Sequence, residues 1–263
     1  MSQPSPFESA CLWRQDWRQC SPLFANLQQQ AAATSELKCW PEPASLAQHL
    51  QLQNIKLVSQ TALDQAGMSY ESYVAEFNAV PTRNNWHDFF NAVIWSQLPY
   101  SKKLMNQLHV ADIQRYGKPR SKRRDALTLL DECGVLLLCS ESKWRDALNE
   151  HRWHDLFWHW RSGWGKTISP LVVGHALYEQ AFAPHLGWCG KALVLMVDDD
   201  FAALSLAQQY AEADRLLAAK LPTLESPRQL KPLPILGVPG WHQEPIEASF
   251  FDDQSYFRPK RID

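Results

Sequence analysis

Polar side chains recur at helical spacing inside a strongly apolar segment of the chain. Asn84, His87 and Asn91 stand at positions i, i+3 and i+7 with Asp88 beside them, and most neighbouring residues are aromatic or aliphatic. A helix that is apolar nearly all round is typical of a protein core, where an unpartnered polar group costs about 1–3 kcal/mol. The polar groups must therefore pair internally or line a cleft. In a cleft, His87 is a candidate catalytic base or metal ligand, oriented by Asp88 or Asn91.

The same segment also has a purely structural interpretation. Asn85 suits the N-cap of a helix, and Asp88 completes a capping-box-like pair with it. His87 would then only bond to a neighbouring carbonyl group. Under this alternative the protein is a structural or partner-binding scaffold without catalysis, and the residues alone leave both hypotheses open.

A further histidine and a carboxylate have a spacing that metal ligands use. His175 and Glu179 stand at i and i+4 in a segment predicted to be helical from Pro170 to about Phe182, so both lie on one helix face. The two-histidine motif of zinc proteases is absent. The pair is a candidate metal site with a divalent metal ion as the candidate cofactor, and the alternative is a hydrogen-bonded surface pair.

Basic residues are concentrated between positions 115 and 124. Two of them, Arg123 and Arg124, are candidates together with Arg83 for binding the anionic group of a small-molecule substrate. Alternatively, segment 115–124 binds nucleic acid through phosphate contacts, with exposed tryptophans stacking on the bases. The formal net charge of −2 provides no strong overall attraction to nucleic acid or to an anionic membrane.

The chain is long and apolar enough to bury a sizeable core, and its patterns predict an α+β fold. We expect one globular domain over residues 1–263, because no linker divides the chain convincingly. A helical N-terminal part, 1–69, precedes a core, 70–263. The 12 tryptophans are most simply explained by an aromatic core.

Several local patterns predict the elements of this helix-rich domain. Helical spacing predicts a helix from Asn85 to about Leu98, ended by Pro99. The apolar runs Ala126–Leu130 and Val135–Cys139 flank a turn that contains glycine, which predicts a β-hairpin as part of a small sheet. Six prolines between 222 and 245 predict an extended, polyproline-like C-terminal segment.

The remaining composition predicts a cytoplasmic protein. The six cysteines form no Cys-x-x-Cys pair and are typical of buried thiols in a reducing compartment. Residues Met1–Pro6 lack the basic and apolar regions of a secretory signal. Because no apolar run approaches the roughly 20 residues that span a bilayer, we expect no membrane contact.

Several of these segments together resemble a bacterial family, the domain-of-unknown-function 3025 family. The first two blocks are specific, and the others are shorter: Val80–Ala92, Arg123–Glu132, Gly174–Glu179, Leu236–Trp241 and Tyr256–Pro259. The resemblance extends from about Tyr70 to the C-terminus. The chain has Cys133 where the second block of the family usually has asparagine. The resemblance implies no substrate, cofactor or mechanism.

The residues favour an enzyme, with hydrolysis of an anionic small molecule as the leading hypothesis. His87 would act as base or metal ligand with Asp88 and Asn91, and arginines would hold the anion. The alternatives are the nucleic-acid-binding module and the non-catalytic scaffold. The sequence predicts neither the substrate nor the oligomeric state.

Overall fold

A computed structural model describes residues 12–117, 119–242 and 247–260. Three features of the sequence interpretation therefore lie outside the described residues: the start Met1–Pro6, Lys118 of the basic segment, and Pro245 of the proline-rich segment.

The described chain is helix-rich with short strands, which confirms the predicted α+β class. Its helices are α1 (Gln28–Ala33), α2 (Pro43–His49), α3 (Gln60–Ala66), α4 (Tyr70–Phe77), α5 (Trp86–Gln97), α6 (Pro99–Tyr116), α7 (Lys122–Cys133), α8 (Ser142–Asn149), α9 (His175–Gln180) and α10 (Leu206–Lys220). Its strands are β1 (Lys56–Ser59), β2 (Ala79–Thr82), β3 (Gly134–Cys139), β4 (Ile168–Val172), β5 (Cys189–Met196) and β6 (Lys231–Pro234).

The strands form two small sheets. Strands β1 and β2 pair in parallel, and the larger sheet has the order β4-β3-β5-β6. Strand β3 is buried along its whole length, and it pairs antiparallel with β4 and parallel with β5. A central strand covered on both faces explains why its sequence is a continuous apolar run and not an alternating one.

Helix α5 begins where the sequence predicts. The side chain of Asn85 accepts a hydrogen bond from the backbone N–H of Asp88 at 2.8 Å, which is the predicted N-cap. Pro99 ends the helix and at the same time opens α6, where its missing N–H costs nothing. Trp86 and Phe90 of α5 pack against Trp17 in an aromatic core.

The predicted β-hairpin is wrong, because its first arm is helical. Ala126–Leu130 belongs to α7, which starts at the N-cap Ser121, whose hydroxyl accepts from the backbone N–H of Arg124. The buried residues of α7 include Arg124, Leu127 and Leu130, which recur at helical spacing. The second arm is strand β3, which pairs with β4 and β5 and not with its chain neighbour.

Two other predicted elements also differ from the structure. Pro170 lies within edge strand β4, where proline is tolerated, and the helix that carries His175 begins only at that residue. The proline-rich segment is not one extended stretch. In its described part, only β6 is a strand, and short 3-10 turns stand on both sides of it. Across the residues described, no helix has both the length and the apolar character needed to cross a bilayer.

Candidate metal centre

Three helix ends meet at one point beside the larger sheet. His87 is the second residue of α5, His175 is the first residue of α9, and Glu132 lies one residue before the end of α7. One ligand-capable atom from each of these side chains lies within 4.8 Å of the other two. The Nε2 atoms of His87 and His175 are 2.9 Å apart. Oε2 of Glu132 is 3.5 Å from Nε2 of His175 and 3.9 Å from Nε2 of His87.

Two glycines allow the end of α7 to approach the start of α9. The backbone N–H groups of Val173 and Gly174 both donate to the carbonyl oxygen of Gly134, at 3.0 and 2.9 Å. A Cβ atom on Gly174 would lie 2.5 Å from the backbone oxygen of Glu132, closer than real Cβ contacts come. The absence of a side chain at Gly174 therefore lets Glu132 and His175 come together.

A second carboxylate fixes the orientation of His87. Nδ1 of His87 lies 3.0 Å from Oε2 of Glu179. Because an ionised carboxylate only accepts hydrogen bonds, Nδ1 carries the proton of the neutral imidazole, and Nε2 then keeps its lone pair. That lone pair is directed at the side of His175 and Glu132. A carboxylate behind the outer nitrogen of a histidine is the usual support of a metal-ligating imidazole.

Burial and the contact with Glu179 set the electrostatics of the cluster. The hydrogen bond to Glu179 raises the pKa of His87 against the effect of its partial burial. Burial lowers the pKa of His175 to about 3, so its imidazole is neutral at ordinary pH. Burial also raises the pKa of Glu132. Two imidazole nitrogens and a partly desolvated carboxylate oxygen thus face one another, which a divalent metal ion would stabilise.

The cluster opens into a cleft of about 300 Å³. Deep in the cleft, the buried ammonium group of Lys102 donates to Oδ1 of Asn91 at 2.8 Å and to the carboxylate of Asp131. The side-chain amide of Asn91 donates in turn to the hydroxyl of Tyr70 at 3.2 Å. The polar side of α5 therefore lines the cleft. The side chains that it contacts there belong to α4, α6 and α7.

A comparison with protein families matches most of the chain, including the residues that line this cleft, to one family. A family model described as "Protein of unknown function (DUF3025)" matches residues 55–261. The chain belongs to this family. The match confirms the resemblance seen in the sequence and begins earlier than Tyr70. No curated protein and no solved structure matches the chain. The DUF3025 region contains His87, Glu132, His175 and Glu179, and its description names no activity.

In this DUF3025 chain, the other two residues predicted as catalytic are Asp88 and Asn91. Neither of them makes the predicted contact with His87. The carboxylate of Asp88 does not orient His87, because it accepts from the backbone N–H of Arg83 at 2.7 Å and from its guanidinium at 2.9 and 3.0 Å. Asn91 is held by Lys102 and Tyr70. Both residues line the cleft, but the group that orients His87 is Glu179.

The arginines predicted to hold an anion are each paired with a carboxylate. Arg123 lies outside the cleft lining and bonds to Asp112, with Nε at 3.2 Å from Oδ2. Arg124 lies 3.6 Å from Glu71. Arg83 lines the cleft beside Asp88, and its side chain remains 57% exposed. Arg123 and Arg124 are thus not free charges, since α7 begins inside the basic segment and directs these two side chains to separate partners.

Of the three converging side chains, the sequence indicates His87 and His175 but not Glu132. His175 and Glu179 lie near each other as their spacing indicates, but Glu179 faces His87 and is not among the three converging side chains. Glu132 was interpreted as a turn residue because the hairpin prediction put it in a loop. The signal for Lys102 is its helical spacing with Asn106 and His109, at i, i+4 and i+7 on α6.

Proposed function

We propose that the protein is a divalent-metal-dependent hydrolase that acts on a small molecule with an anionic group. The observation that supports it most is the convergence of His87, His175 and Glu132, with Glu179 fixing the tautomer of His87. Two histidines and one carboxylate are a ligand set of catalytic zinc sites, which keep a further position for water. Metal bonds of about 2.0–2.2 Å separate neighbouring ligand atoms by roughly 3–3.5 Å, so small side-chain adjustments bring the set to binding geometry.

Hydrolysis follows from what such a metal does to water. A bound divalent ion lowers the pKa of its water to about 7 and so supplies hydroxide at neutral pH. If His87, His175 and Glu132 hold such an ion, hydroxide from the water would join the electrophilic centre of the substrate as the bond to the leaving group breaks, and the proton released from the same water would go to the leaving group. Lys102 places a buried positive charge in the same cleft. A fixed charge of this kind stabilises the negative charge that develops on the substrate oxygen.

The anionic group of the substrate is assigned to Arg83. Asp88 uses Nε and one terminal nitrogen of Arg83, and the other terminal nitrogen of this cleft-lining residue is not part of that pair. We assign the reaction to the cytoplasm. Support comes from the described cysteines, which are all free thiols: Cys20, Cys39, Cys133, Cys139 and Cys189.

The experiment removes and restores the metal. The purified chain is stripped with a chelator and reloaded with zinc, manganese, iron(II) or cobalt, and each form is assayed on chromogenic carboxylic esters, anilides and phosphate esters. We expect hydrolysis only in a reloaded form, and loss of it in Glu132→Ala. Glu212→Ala on the surface of α10 is the matched control. Hydrolysis that is unaffected by chelation, or that persists in Glu132→Ala, contradicts the proposal.

A further inference from the structure

Beyond the metal centre, one face of α6 forms a wall of the cleft. Lys102, Asn106 and His109 lie on that face, the inner wall, and all are buried. Glu71 and Thr128 also line the cleft. The proposed hydrolysis uses Lys102 and the metal ligands but gives no role to Asn106 or His109.

On this inner wall, His109 is a buried side chain whose hydrogen bonds are incomplete. It is only 8% exposed, and its Nδ1 is buried without a hydrogen-bond partner. Within the ranges that the structure describes, Nε2 has none either. Leaving a buried polar group unpaired is costly. An unpartnered imidazole on a cleft wall therefore indicates that a ligand completes its hydrogen bonds.

The charge state of His109 restricts what that ligand group is. Burial lowers the pKa of His109, so the ring is neutral at ordinary pH and offers one donor and one acceptor. Asn106 donates through Nδ2 to the backbone oxygen of Glu71 at 2.9 Å, and its Oδ1 is left as an acceptor. The inner wall thus presents uncharged donors and acceptors side by side.

The two arginines whose charges act on His109 already lie beside carboxylates. Arg124 lies 3.6 Å from Glu71, and Arg120 lies 3.3 Å from Asp125 and also contacts Thr128. A carboxylate or an ammonium group placed here would lose its hydration and would compete with an existing ion pair.

We infer that His109 and Asn106 form a specificity subsite for an uncharged group that both donates and accepts hydrogen bonds, with a carboxamide as the simplest case. The group belongs to the part of the substrate remote from the bond that is cleaved. This inference rests on the proposed function, because the metal is what holds the reacting end of the substrate.

The test uses hydroxamates, which anchor on a metal ion, with tails of increasing length. The tails end in a carboxamide, in an isopropyl group of similar size, in a carboxylate or in an ammonium group, and affinities for the zinc-loaded full chain are measured by calorimetry. At the best length, the carboxamide should bind about tenfold more tightly than the isopropyl compound, the equivalent of one or two net hydrogen bonds. The two charged tails should bind more weakly than the carboxamide.

Two substitutions at the same position identify the group responsible. His109→Phe keeps a buried ring without nitrogens and should abolish the preference for the carboxamide. His109→Gln keeps one donor and one acceptor and should retain it. Zinc content and the affinity for acetohydroxamate, which has no tail, should stay unchanged in both variants.

The outcomes separate this inference from the function on which it rests. If acetohydroxamate fails to bind the zinc-loaded protein, the proposed function fails and the subsite fails with it. If acetohydroxamate binds but the carboxamide tail gains nothing over isopropyl, or a charged tail binds best, the subsite alone is overturned. Retention of the carboxamide preference in His109→Phe also overturns it.

Discussion

Nδ1 of His87 lies 3.0 Å from Oε2 of Glu179, and this contact determines which nitrogen of His87 faces His175. Glu179 stands one helical turn after His175 on α9, so the same short helix supplies one ligand and the support of the other. The contact joins α5 and α9, which also meet through the Nε2 atoms of His87 and His175. In the neutral imidazole, it leaves Nε2 of His87 as a possible metal ligand that faces Nε2 of His175.

Glu179→Gln should weaken metal binding without unfolding the chain. Glutamine can still accept from Nδ1 of His87, but it lacks the negative charge that raises the basicity of the imidazole, and loss of such support typically costs about 10–100-fold in metal affinity. Zinc affinity is measured by competition with a chromogenic chelator. Wild-type affinity in Glu179→Gln would show that Glu179 does not support a ligand.

Gly174→Ala should lower both the stability of the fold and the affinity of the centre for zinc. The new Cβ would lie 2.5 Å from the backbone oxygen of Glu132, so the end of α7 and the start of α9 must separate. We expect a loss of about 2–4 kcal/mol in the free energy of unfolding together with weaker zinc binding. Gly67→Ala is the control, because a Cβ there meets nothing within 4 Å and only its positive φ of 63° is unfavourable. Equal losses in the two variants, measured by urea denaturation, would contradict the close-approach argument.

Arg123→Gln should lower stability at neutral pH and leave zinc binding unchanged. Burial alone would raise the pKa of Asp112, but hydrogen bonds from Arg123 and Ser121 hold that pKa below its ordinary value of 3.8. Without Arg123, the buried carboxylate of Asp112 keeps the hydrogen bond from Ser121 but loses its charged partner, at a cost of about 3 kcal/mol.

The pH dependence of this effect has a definite sign. Because the folded-state pKa of Asp112 is depressed, the stabilisation by the pair is present above the ordinary value and is lost as the pH falls through the folded-state pKa. The difference between wild type and Arg123→Gln in urea denaturation should therefore shrink in acid. A difference that grows in acid, or reduced zinc affinity in Arg123→Gln, would be inconsistent with a structural role.

Lys102→Met should be strongly destabilising, and a second substitution should relieve it. The ammonium group of Lys102 is buried against Asp131, and removing one member of a buried pair typically costs about 3–5 kcal/mol. In Lys102→Met with Asp131→Asn, no uncompensated carboxylate remains, so part of that stability should return. The double-mutant cycle is measured by thermal and urea unfolding. Additive losses would show that Lys102 and Asp131 are not coupled.

The sequence revealed α5 well, because its signals are local. Asn85 caps the helix, the apolar residues recur at helical spacing, and Pro99 ends it. His87 and Asn91 were singled out because polar groups on an otherwise buried helix need partners, and both line the cleft.

Glu132 could not be predicted as part of the centre because it follows a segment whose secondary structure is ambiguous. Ala126–Leu130 is apolar except for Thr128, so a strand and a helix fit it equally well from periodicity alone. The deciding signal was Ser121, an N-cap hidden within the basic run. With a strand assigned there, Glu132 fell in a turn. The approach of Glu132 to His175 depends on the contact between Gly134 and Gly174, which no local pattern encodes.

The most direct measurement is the metal content of the purified full chain by mass spectrometry after dialysis against zinc, compared with that of His87→Ala, Glu132→Ala and His175→Ala. The convergence of these side chains predicts about one zinc ion per wild-type chain and a large loss in each variant, since a structural or catalytic zinc site needs at least three protein ligands. A wild-type chain that takes up no metal, or variants that retain the wild-type content, would contradict the account.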